Sequence, residues 1–343
     1  RDTTRSISLF AEFSPIPTKL YHGCVREIAA KMQAVTGGGA DSVLKVEQVS
    51  KRYGKYVALE NLSFELPKGS HLLVLGPNGA GKTTLIKCIM DLINFNGKIH
   101  VHGIDVKKHS SLAKTFIGYV PQNYAFYEGI SVKDHAILST QLKKVGREQA
   151  EEKLKEVDLW RVKDKKVRAL SDGMKQRLGI ALALIANPPL LLLDEPTSNV
   201  DLRGQLEFQT LLKSLVKQGK TLLTTTHLTG LGELATQVMI LNRGKPIAMG
   251  PPSELLKNLG VNDSLYVRVN EKDTAAVKQL LDSYKVAEVE ARGEWIIAFM
   301  PSETKMKVVK NLLDGGIGVE DLLIERAKIE SEYFKIIQGN KAA

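Results

Sequence analysis

The 343-residue sequence has few of the features that define secreted or membrane-spanning proteins. Its only cysteines are Cys24 and Cys88, so neither a disulfide framework nor a four-cysteine zinc site can form within one chain. A reducing cytoplasm is the compartment that fits best. The most apolar stretch, 178–193, is interrupted by an Asn-Pro-Pro tripeptide, which leaves no run of about 20 apolar residues that could span a bilayer. The apolar cluster 7–11 is too short and too mixed for a signal peptide. Any membrane role is therefore expected to need another polypeptide.

The composition is that of an ordinary globular protein. Hydrophobic residues make up 43% and charged residues 25%, which excludes disorder as the main state. At roughly 150 residues per domain, the length predicts about two domains. The 48 Lys and Arg exceed the 38 Asp and Glu by ten, which would suit anionic lipid headgroups, nucleic acid or phosphorylated ligands and does not choose among them.

Three segments differ in pattern along the chain. Residues 1–42 show no sustained periodicity and end in a Gly-Gly-Gly joint, so we expect a flexible segment. The chain begins with Arg1 and has Met32 in frame just before this joint, which makes a non-native origin of the segment a hypothesis.

Residues 43–258 have the pattern of an α/β domain. The buried-looking runs 72–75, 190–193 and 221–226 alternate with helical segments, which predicts a parallel sheet covered by helices. The middle, about 131–175, is expected to be helical and highly charged.

Residues 259–343 restart as a compact unit with the predicted order βαββαβ, which suggests a small ferredoxin-like α+β domain. Two apolar stripes at helical spacing are expected to face its core. They are Val277, Leu280 and Leu281, and Met306, Val309, Leu312 and Leu313. Such a domain supports dimerisation or the regulation of the first domain.

The first chemical motif is Gly-Pro-Asn-Gly-Ala-Gly-Lys-Thr over 76–83, which matches G-x-x-x-x-G-K-[ST] between an apolar strand and a helix. Glycines let successive backbone N–H groups converge on phosphate oxygens, Lys82 reaches the β and γ phosphates, and the Thr83 hydroxyl ligates Mg²⁺. The predicted ATP-binding residues are Gly76, Pro77, Asn78, Gly79, Ala80, Gly81, Lys82, Thr83 and Thr84.

The second motif is a pair of acids at the end of the leucine run 190–193. Ligands sit at the carboxyl edge of open α/β sheets, where Asp194 would hold the Mg²⁺ shell and Glu195 would polarise an attacking water. Capping of the following helix by these acids is the structural alternative.

Between these motifs lies Leu170-Ser171-Asp172-Gly173-Met174, followed by a basic helix. Together with the two motifs above, this run resembles the LSGGQ signature of the ATP-binding subunits of ABC transporters. The resemblance implies that Ser171 and Gly173 bind the γ-phosphate of an ATP held by the opposite subunit. Asp172 and Met174 depart from the pattern, and Asp172 places a carboxylate near a phosphate.

Four further positions follow in the order that the resemblance implies. Tyr53 resembles the aromatic residue that stacks on adenine, and Gln122 the glutamine that senses Mg²⁺ and the transport partner. Asp201 resembles the acid that communicates across the dimer, and His227 the histidine that contacts the γ-phosphate. Taken singly, a lone aromatic residue or histidine is more often structural, and it is the shared order of the motifs that assigns these roles.

The resemblance covers about 43–255 and implies a P-loop ATPase core made of a RecA-like parallel sheet, an antiparallel β subdomain and a helical subdomain. It implies a head-to-tail homodimer or pseudo-dimer that sandwiches ATP and Mg²⁺, with Glu195, His227 and Lys82 as catalytic residues. Closure and hydrolysis would drive a separate transmembrane permease, most often for export. The chain would then be cytoplasmic, attached to the cytoplasmic face of the membrane through the permease.

Two alternatives stay open. A soluble ABC ATPase acting on ribosomes or nucleic acid would also suit a charge of +10, but the sequence has no second ATPase half, long coiled coil or zinc module, which disfavours nucleic acid as a partner. The other alternative is an ATPase that is regulated by a ligand bound to its C-terminal domain. We favour a simpler role for that domain, which is to stabilise the homodimer.

Overall fold

A computed structural model describes residues 42–197, 200–226, 232–258, 262–284, 286, 288–292, 295–301 and 303–327. The strands are Ser42–Tyr53 (β1), Tyr56–Pro67 (β2), His71–Leu75 (β3), Asn96–Val101 (β4), Ile104–Asp105 (β5), Ile117–Val120 (β6), Leu190–Asp194 (β7), Thr221–Thr226 (β8), Gln237–Asn242 (β9), Lys245–Gly250 (β10), Asp263–Val269 (β11), Glu288–Arg292 (β12), Trp295–Met300 (β13) and Val319–Glu325 (β14). The α-helices are Lys82–Ile89 (α1), Ser110–Thr115 (α2), Val132–Leu142 (α3), Glu148–Glu156 (α4), Asp172–Leu184 (α5), Leu202–Lys217 (α6), Pro252–Asn258 (α7), Thr274–Ser283 (α8) and Lys305–Asp314 (α9). Short 3₁₀ helices cover Trp160–Val162, Val167–Ala169, Gly232–Leu234 and Glu271–Asp273.

An antiparallel sheet has the strand order β2-β1-β4-β5. Its long hairpin β1–β2 closes through Gly54 and Lys55, where Gly54 has a φ of 56°, a left-handed conformation that glycine adopts without strain. Tyr53 and Tyr56 are the last pair of this ladder. Because paired residues project to the same face of a ladder, the two tyrosine side chains extend from the same face of the hairpin.

The second sheet has six strands in the order β10-β9-β3-β8-β7-β6. Strands β3, β8, β7 and β6 are parallel. Every residue of β3, β7 and β8 is buried, as expected for strands covered on both faces. The predicted parallel sheet is confirmed, and strand β8 lies between the two strands, β3 and β7, that carry the motifs. Their carboxyl ends therefore meet at one edge of the sheet.

The charged middle of the chain folds into α3, α4 and α5, which pack against one another. Ser131 caps α3 by accepting a hydrogen bond from the N–H of Asp134 at 3.1 Å, and Ser171 begins α5 in the same way. Leu154 and Val157 are buried in this group of helices. The prediction of a helical middle is confirmed, with turns and one β-bridge over 163–166 before the 3₁₀ helix that precedes α5.

The chain divides into two compact units, one of residues up to 228 with 241–247, and one of residues 229–240 with those from 248 onward. In the second unit the strands β11, β12, β13 and β14 form an antiparallel sheet in the order β12-β13-β11-β14, and the elements follow in the order βαββαβ. The ferredoxin-like classification and the domain bounds stay predictions. Within the described part of the chain, none of the helices combines the length and the apolar character needed to cross a bilayer.

One predicted stripe of the second unit is wrong in part. Val308 and Leu312 are buried in the core of this unit, whereas Met306 and Leu313 are 63% and 61% exposed. At about 100° per residue, a helix that points positions 308 and 312 inward carries position 306 to the opposite side. The predicted stripe therefore joined apolar residues that lie on different sides of α9.

Candidate functional site

The loop between β3 and α1 can form only with glycine at two positions. A Cβ at Gly76 would lie 2.5 Å from the carbonyl oxygen of Leu241, and Gly81 has a φ of 109° and would place its Cβ against the carbonyl oxygen of Ala58. Helix α1 then begins with no side-chain cap and no acidic residue in its first turn. Its first N–H groups and its dipole therefore favour an anion at the loop.

Lys82 is held at this loop by its own backbone. Its Nζ donates to the carbonyl oxygens of Gly76 and Pro77 at 2.7 Å and 3.2 Å, and it lies 3.0 Å from Oε1 of Glu195. The lysine is only 4% exposed. A buried ammonium needs such partners, because an unpaired charge is costly to desolvate.

Asp194 ends strand β7 and is 1% exposed. Its Oδ1 accepts hydrogen bonds from the hydroxyl of Thr83 at 3.2 Å and from the hydroxyl of Thr225 at 2.6 Å. The parallel register pairs Asp194 with Thr225, which explains why strand β8 supplies the second donor. The carboxylate is thus fixed between helix α1 and strand β8.

Glu195 follows in a strained backbone conformation, with a φ of 46°. Its N–H donates to both the carbonyl and the hydroxyl oxygen of Thr225, at 3.0 Å and 3.1 Å, which holds this conformation. The side-chain Oε2 accepts a hydrogen bond from Nε2 of Gln122 at 3.2 Å. Glu195 therefore lies between Gln122 and Lys82, with its carboxylate oriented by both.

Lys82, Thr83, Gln122 and Glu195 open onto a cavity of about 360 Å³. It is lined by Tyr53, Tyr56, Ala58, Asn78, Gly79, Ala80, Gly81, Lys82, Thr83, Thr84, Gln122 and Glu195. The two tyrosines at the end of the β1–β2 hairpin are 45% and 55% exposed, so their rings are open to a ligand. The hydroxyl of Tyr56 donates to the carbonyl oxygen of Gly79 at 2.8 Å, which ties the hairpin to the loop.

A second cavity has a volume of about 420 Å³, and among the residues that the structure describes it shares none with the first. It is lined by Ser171, Asp172, Gly173, Arg177, Val200, Asp201, Arg203, Gly204 and Glu207. The Ser171 hydroxyl caps α5, accepting from the N–H of Met174 at 3.4 Å, and the Asp201 carboxylate caps α6, accepting from the N–H of Gly204 at 2.8 Å. Two helix N-termini therefore converge here, with Asp172 exposed in the first turn of α5.

Comparison with known proteins identifies the family to which the chain belongs. The profile of the family described as "ABC transporter" matches residues 59–198. A daunorubicin resistance ATP-binding protein of Streptomyces coeruleorubidus is 33% identical over 307 residues, which cover 87% of this chain and 96% of that protein. The chain belongs to the family of ABC transporter ATP-binding subunits. As a member of that family, it is an ABC-type ATPase.

Two further similarities show the breadth of the family. A molybdate/tungstate import ATP-binding protein of Pyrococcus abyssi is 35% identical over 223 residues, which cover 63% of this chain and 64% of that protein. A solved dimeric ATP-binding cassette in a post-hydrolysis state, bound to ADP and Pi, aligns with a TM-score of 0.56 at 27% identity over 61% of this chain and 98% of that one. The predicted ABC cassette fold is confirmed.

The ABC cassette brings most of the predicted site residues to the two cavities. Gly76, Pro77 and Asp194 lie behind the wall of the first, where the carbonyls of Gly76 and Pro77 hold Lys82. Leu170 is 6% exposed, and neither Leu170 nor Met174 is among the residues that line the second cavity. His227 lies outside the described residues, so its role stays a prediction.

Two residues of the site were missed from the sequence. Thr225 reads as an ordinary buried strand residue, although three consecutive threonines at the end of an apolar strand are a polar signal. Tyr56 could have been found as the partner of Tyr53 across a two-residue turn.

The donor set at the first cavity suits Mg²⁺. The Thr83 hydroxyl and the Asp194 carboxylate are hard oxygen donors on adjacent elements, and the side-chain amide of Gln122 supplies a third oxygen. Since Mg²⁺ in phosphoryl-transfer enzymes takes few protein ligands and completes its shell with phosphates and water, these residues fit.

Proposed function

We propose that this chain is the ATP-hydrolysing subunit of an ABC exporter, which works as a dimer and drives a separate membrane-spanning permease. The observation that carries the proposal is the pair of separate cavities, which have no lining residue in common within the described part of the chain. One holds the phosphate loop and the acids, and the other holds the signature and Asp201. Each is half of a site that a second copy would complete.

Export is favoured by how far the relatives match. The daunorubicin resistance protein matches 87% of the chain, which is more than the segment 43–258 contains, whereas the import protein matches 63%. Of these two relatives, it is therefore the resistance protein whose similarity must extend into the C-terminal unit.

At the first cavity the phosphates of ATP would bind the N–H groups of the loop, with Lys82 neutralising the β and γ oxygens. Thr83, Asp194 and Gln122 would hold Mg²⁺, which neutralises phosphate charge when it is bound. Glu195 orients the attacking water and receives its proton, and Gln122 positions the Glu195 carboxylate. His227 would contact the γ-phosphate, and Tyr53 would stack on adenine.

The contact between Lys82 and Glu195 supports a coupling of ATP binding to activation of the base. The Glu195 carboxylate lies 3.0 Å from the Lys82 ammonium. Phosphate oxygens would compete for the same ammonium, so their arrival would weaken this pairing and make the Glu195 carboxylate a stronger acceptor for the proton of water. The base is then available only when a phosphate is in place.

At the second cavity the Ser171 hydroxyl and the N–H groups at the start of α5 would bind the γ-phosphate held by the partner copy. This makes closure depend on ATP, and hydrolysis removes the bridging contacts. Asp172 opposes closure, because it adds a negative charge at the same helix end. A dimeric cassette among the solved relatives supports this arrangement.

The dimer would act on its permease through the segment after Gln122 and through the helices α3 and α4. The chain would thus be peripheral, held at the cytoplasmic face of the membrane by the permease. The C-terminal unit, which exposes Met306 and Leu313 on α9, would stabilise the homodimer.

The test is Glu195→Gln, which keeps the size of the side chain and one of its two acceptor oxygens and removes its negative charge and its basicity. ATP is expected to convert this variant into a stable dimer on size-exclusion chromatography, with hydrolysis abolished. Glu65→Gln, the same change at an exposed position of β2, is the control and should behave as the unaltered chain. Wild-type turnover in Glu195→Gln would remove Glu195 from this role.

The partner is tested separately, by purification from native membranes in mild detergent. A stoichiometric polytopic membrane protein is expected to co-purify. Recovery only with ribosomal proteins or nucleic acid would overturn the transporter part of the proposal and leave the ATPase part intact.

A further inference from the structure

The segment that leads into helix α5 carries an unusual density of positive charge. Residues 161–168 contain five Lys or Arg and one acid, Asp164. We call the cation ridge the set Lys133, Lys163, Lys165, Lys166 and Arg168.

The backbone of the cation ridge is fixed as a short antiparallel ribbon. The N–H of Lys133 donates to the carbonyl of Lys163 at 2.9 Å, and the N–H of Val167 donates to the carbonyl of Ile130 at 3.0 Å. Ser131 and Lys166 form a β-bridge between these two hydrogen bonds. The positive charges are therefore presented by an ordered surface.

The charges of the cation ridge are mostly unpaired. Lys165, Lys166 and Arg168 are exposed and Lys133 is half-buried, and none of these four makes an ion pair within the described ranges of the chain. The fifth cation, Lys163, lies 3.7 Å from the carboxylate of Asp164.

The neighbouring acids already have partners. Asp134 accepts a hydrogen bond from the Ser131 hydroxyl at 2.6 Å, and Glu128 lies 3.6 Å from the ammonium of Lys175. Such a surface repels itself unless anions from outside the chain neutralise it.

Aromatic residues flank the cation ridge. The ammonium of Lys163 lies 4.9 Å from the ring centre of Trp160, and Tyr127 is 66% exposed where the ribbon begins. Tryptophan and tyrosine beside lysine and arginine are characteristic of proteins at the membrane–water interface, whereas sequence-tolerant nucleic-acid binding uses aromatic platforms within a groove. The ribbon also follows shortly after Gln122, in the segment that the proposed function directs toward the permease.

We propose that the cation ridge binds the headgroups of anionic phospholipids, giving the ATPase a membrane contact of its own beside the permease. This inference rests on the proposed function only for its biological setting, because the lipid contact itself needs neither permease nor ATP. Each Lys or Arg near an anionic bilayer strengthens binding about fivefold, so three of them contribute about 100-fold at low salt.

The test is co-sedimentation of the full chain with vesicles of phosphatidylcholine alone or of phosphatidylcholine with phosphatidylglycerol. The ridge variant carries Lys165→Gln, Lys166→Gln and Arg168→Gln. A matched control carries three changes at exposed lysines of the C-terminal unit and loses the same charge. It carries Lys278→Gln, Lys307→Gln and Lys310→Gln.

The unaltered chain and the control are expected to bind only the phosphatidylglycerol vesicles, with affinity falling as salt is raised, and the ridge variant to bind about 100-fold more weakly. Equal losses in both variants would mean that net charge alone is responsible and would overturn the proposal. So would the absence of binding to anionic vesicles, or binding of single-stranded RNA in their place. Because the assay contains no permease, its failure leaves the result of co-purification unaffected.

Discussion

The prediction that tests the site most directly concerns Thr225, a residue that is not among those lining the first cavity. Its hydroxyl donates to Oδ1 of Asp194 at 2.6 Å and accepts from the N–H of Glu195 at 3.1 Å. Thr225→Val keeps the shape of the side chain and removes both hydrogen bonds. We expect this change to lower ATP turnover although the substituted residue contacts no nucleotide.

The size of the effect follows from the partners that remain. In the variant, the N–H of Glu195 can still donate to the carbonyl oxygen of residue 225, which lies 3.0 Å away, so losing its second acceptor costs little. Asp194 is 1% exposed and keeps only the longer hydrogen bond from Thr83 at that oxygen. A hydrogen bond to a buried carboxylate contributes about 1.5–3 kcal/mol, which corresponds to a fall in turnover of about 10-fold to 100-fold if the loss falls on the reaction.

The assay is steady-state ATP hydrolysis as a function of Mg²⁺ and ATP, together with urea unfolding. Thr224→Val is the matched control on the same strand, since it removes the buried hydrogen bond between the Thr224 hydroxyl and Nε2 of His71, which are 2.9 Å apart. Neighbouring strand residues point to opposite faces, so this change leaves Asp194 untouched. Both variants should lose stability, by about 1–3 kcal/mol. Equal turnover in the two variants would refute the orienting role of Thr225.

Three further changes have expected outcomes. Tyr56→Phe removes the hydrogen bond to Gly79 and should raise the KM for ATP a few-fold at unchanged kcat, because a neutral exposed hydrogen bond contributes about 0.5–1 kcal/mol. A fall in kcat alone would contradict a positioning role for Tyr56. Asp172→Gly should strengthen ATP-dependent dimerisation at low salt, as measured by analytical ultracentrifugation, and no change there would show that its charge lies away from the phosphate. Burial lowers the pKa of His135, so the unfolded chain takes up a proton first as the pH falls below about 6.5, and the free energy of unfolding decreases there. His135→Gln should flatten that decrease in urea titrations, and an unaltered slope would assign it to other groups.

Strands that are buried on both faces could be predicted from the sequence, whereas strands that are buried on only one face were difficult to predict. The strands predicted at 72–75, 190–193 and 221–226 agree with β3, β7 and β8 to within one residue, since fully buried strands read as continuous apolar runs. The hairpin β1–β2 has no continuous apolar run, because buried and exposed residues are mixed along both of its strands. Register shifts along β1 break the alternation that would have revealed a strand with one exposed face.

The site shows which information the sequence alone did not contain. Motifs identify residues whose own backbone forms the site, as in the loop 76–83, because their spacing is local. Thr225 acts through strand order, which places β8 between β3 and β7. Once Leu190 is paired with Thr221, a parallel register carries Asp194 to Thr225 four residues later, with no further choice. The sequence therefore lacked one piece of information, the pairing of β7 with β8. The position of Thr225 as the second hydrogen-bond donor to Asp194 follows from that pairing.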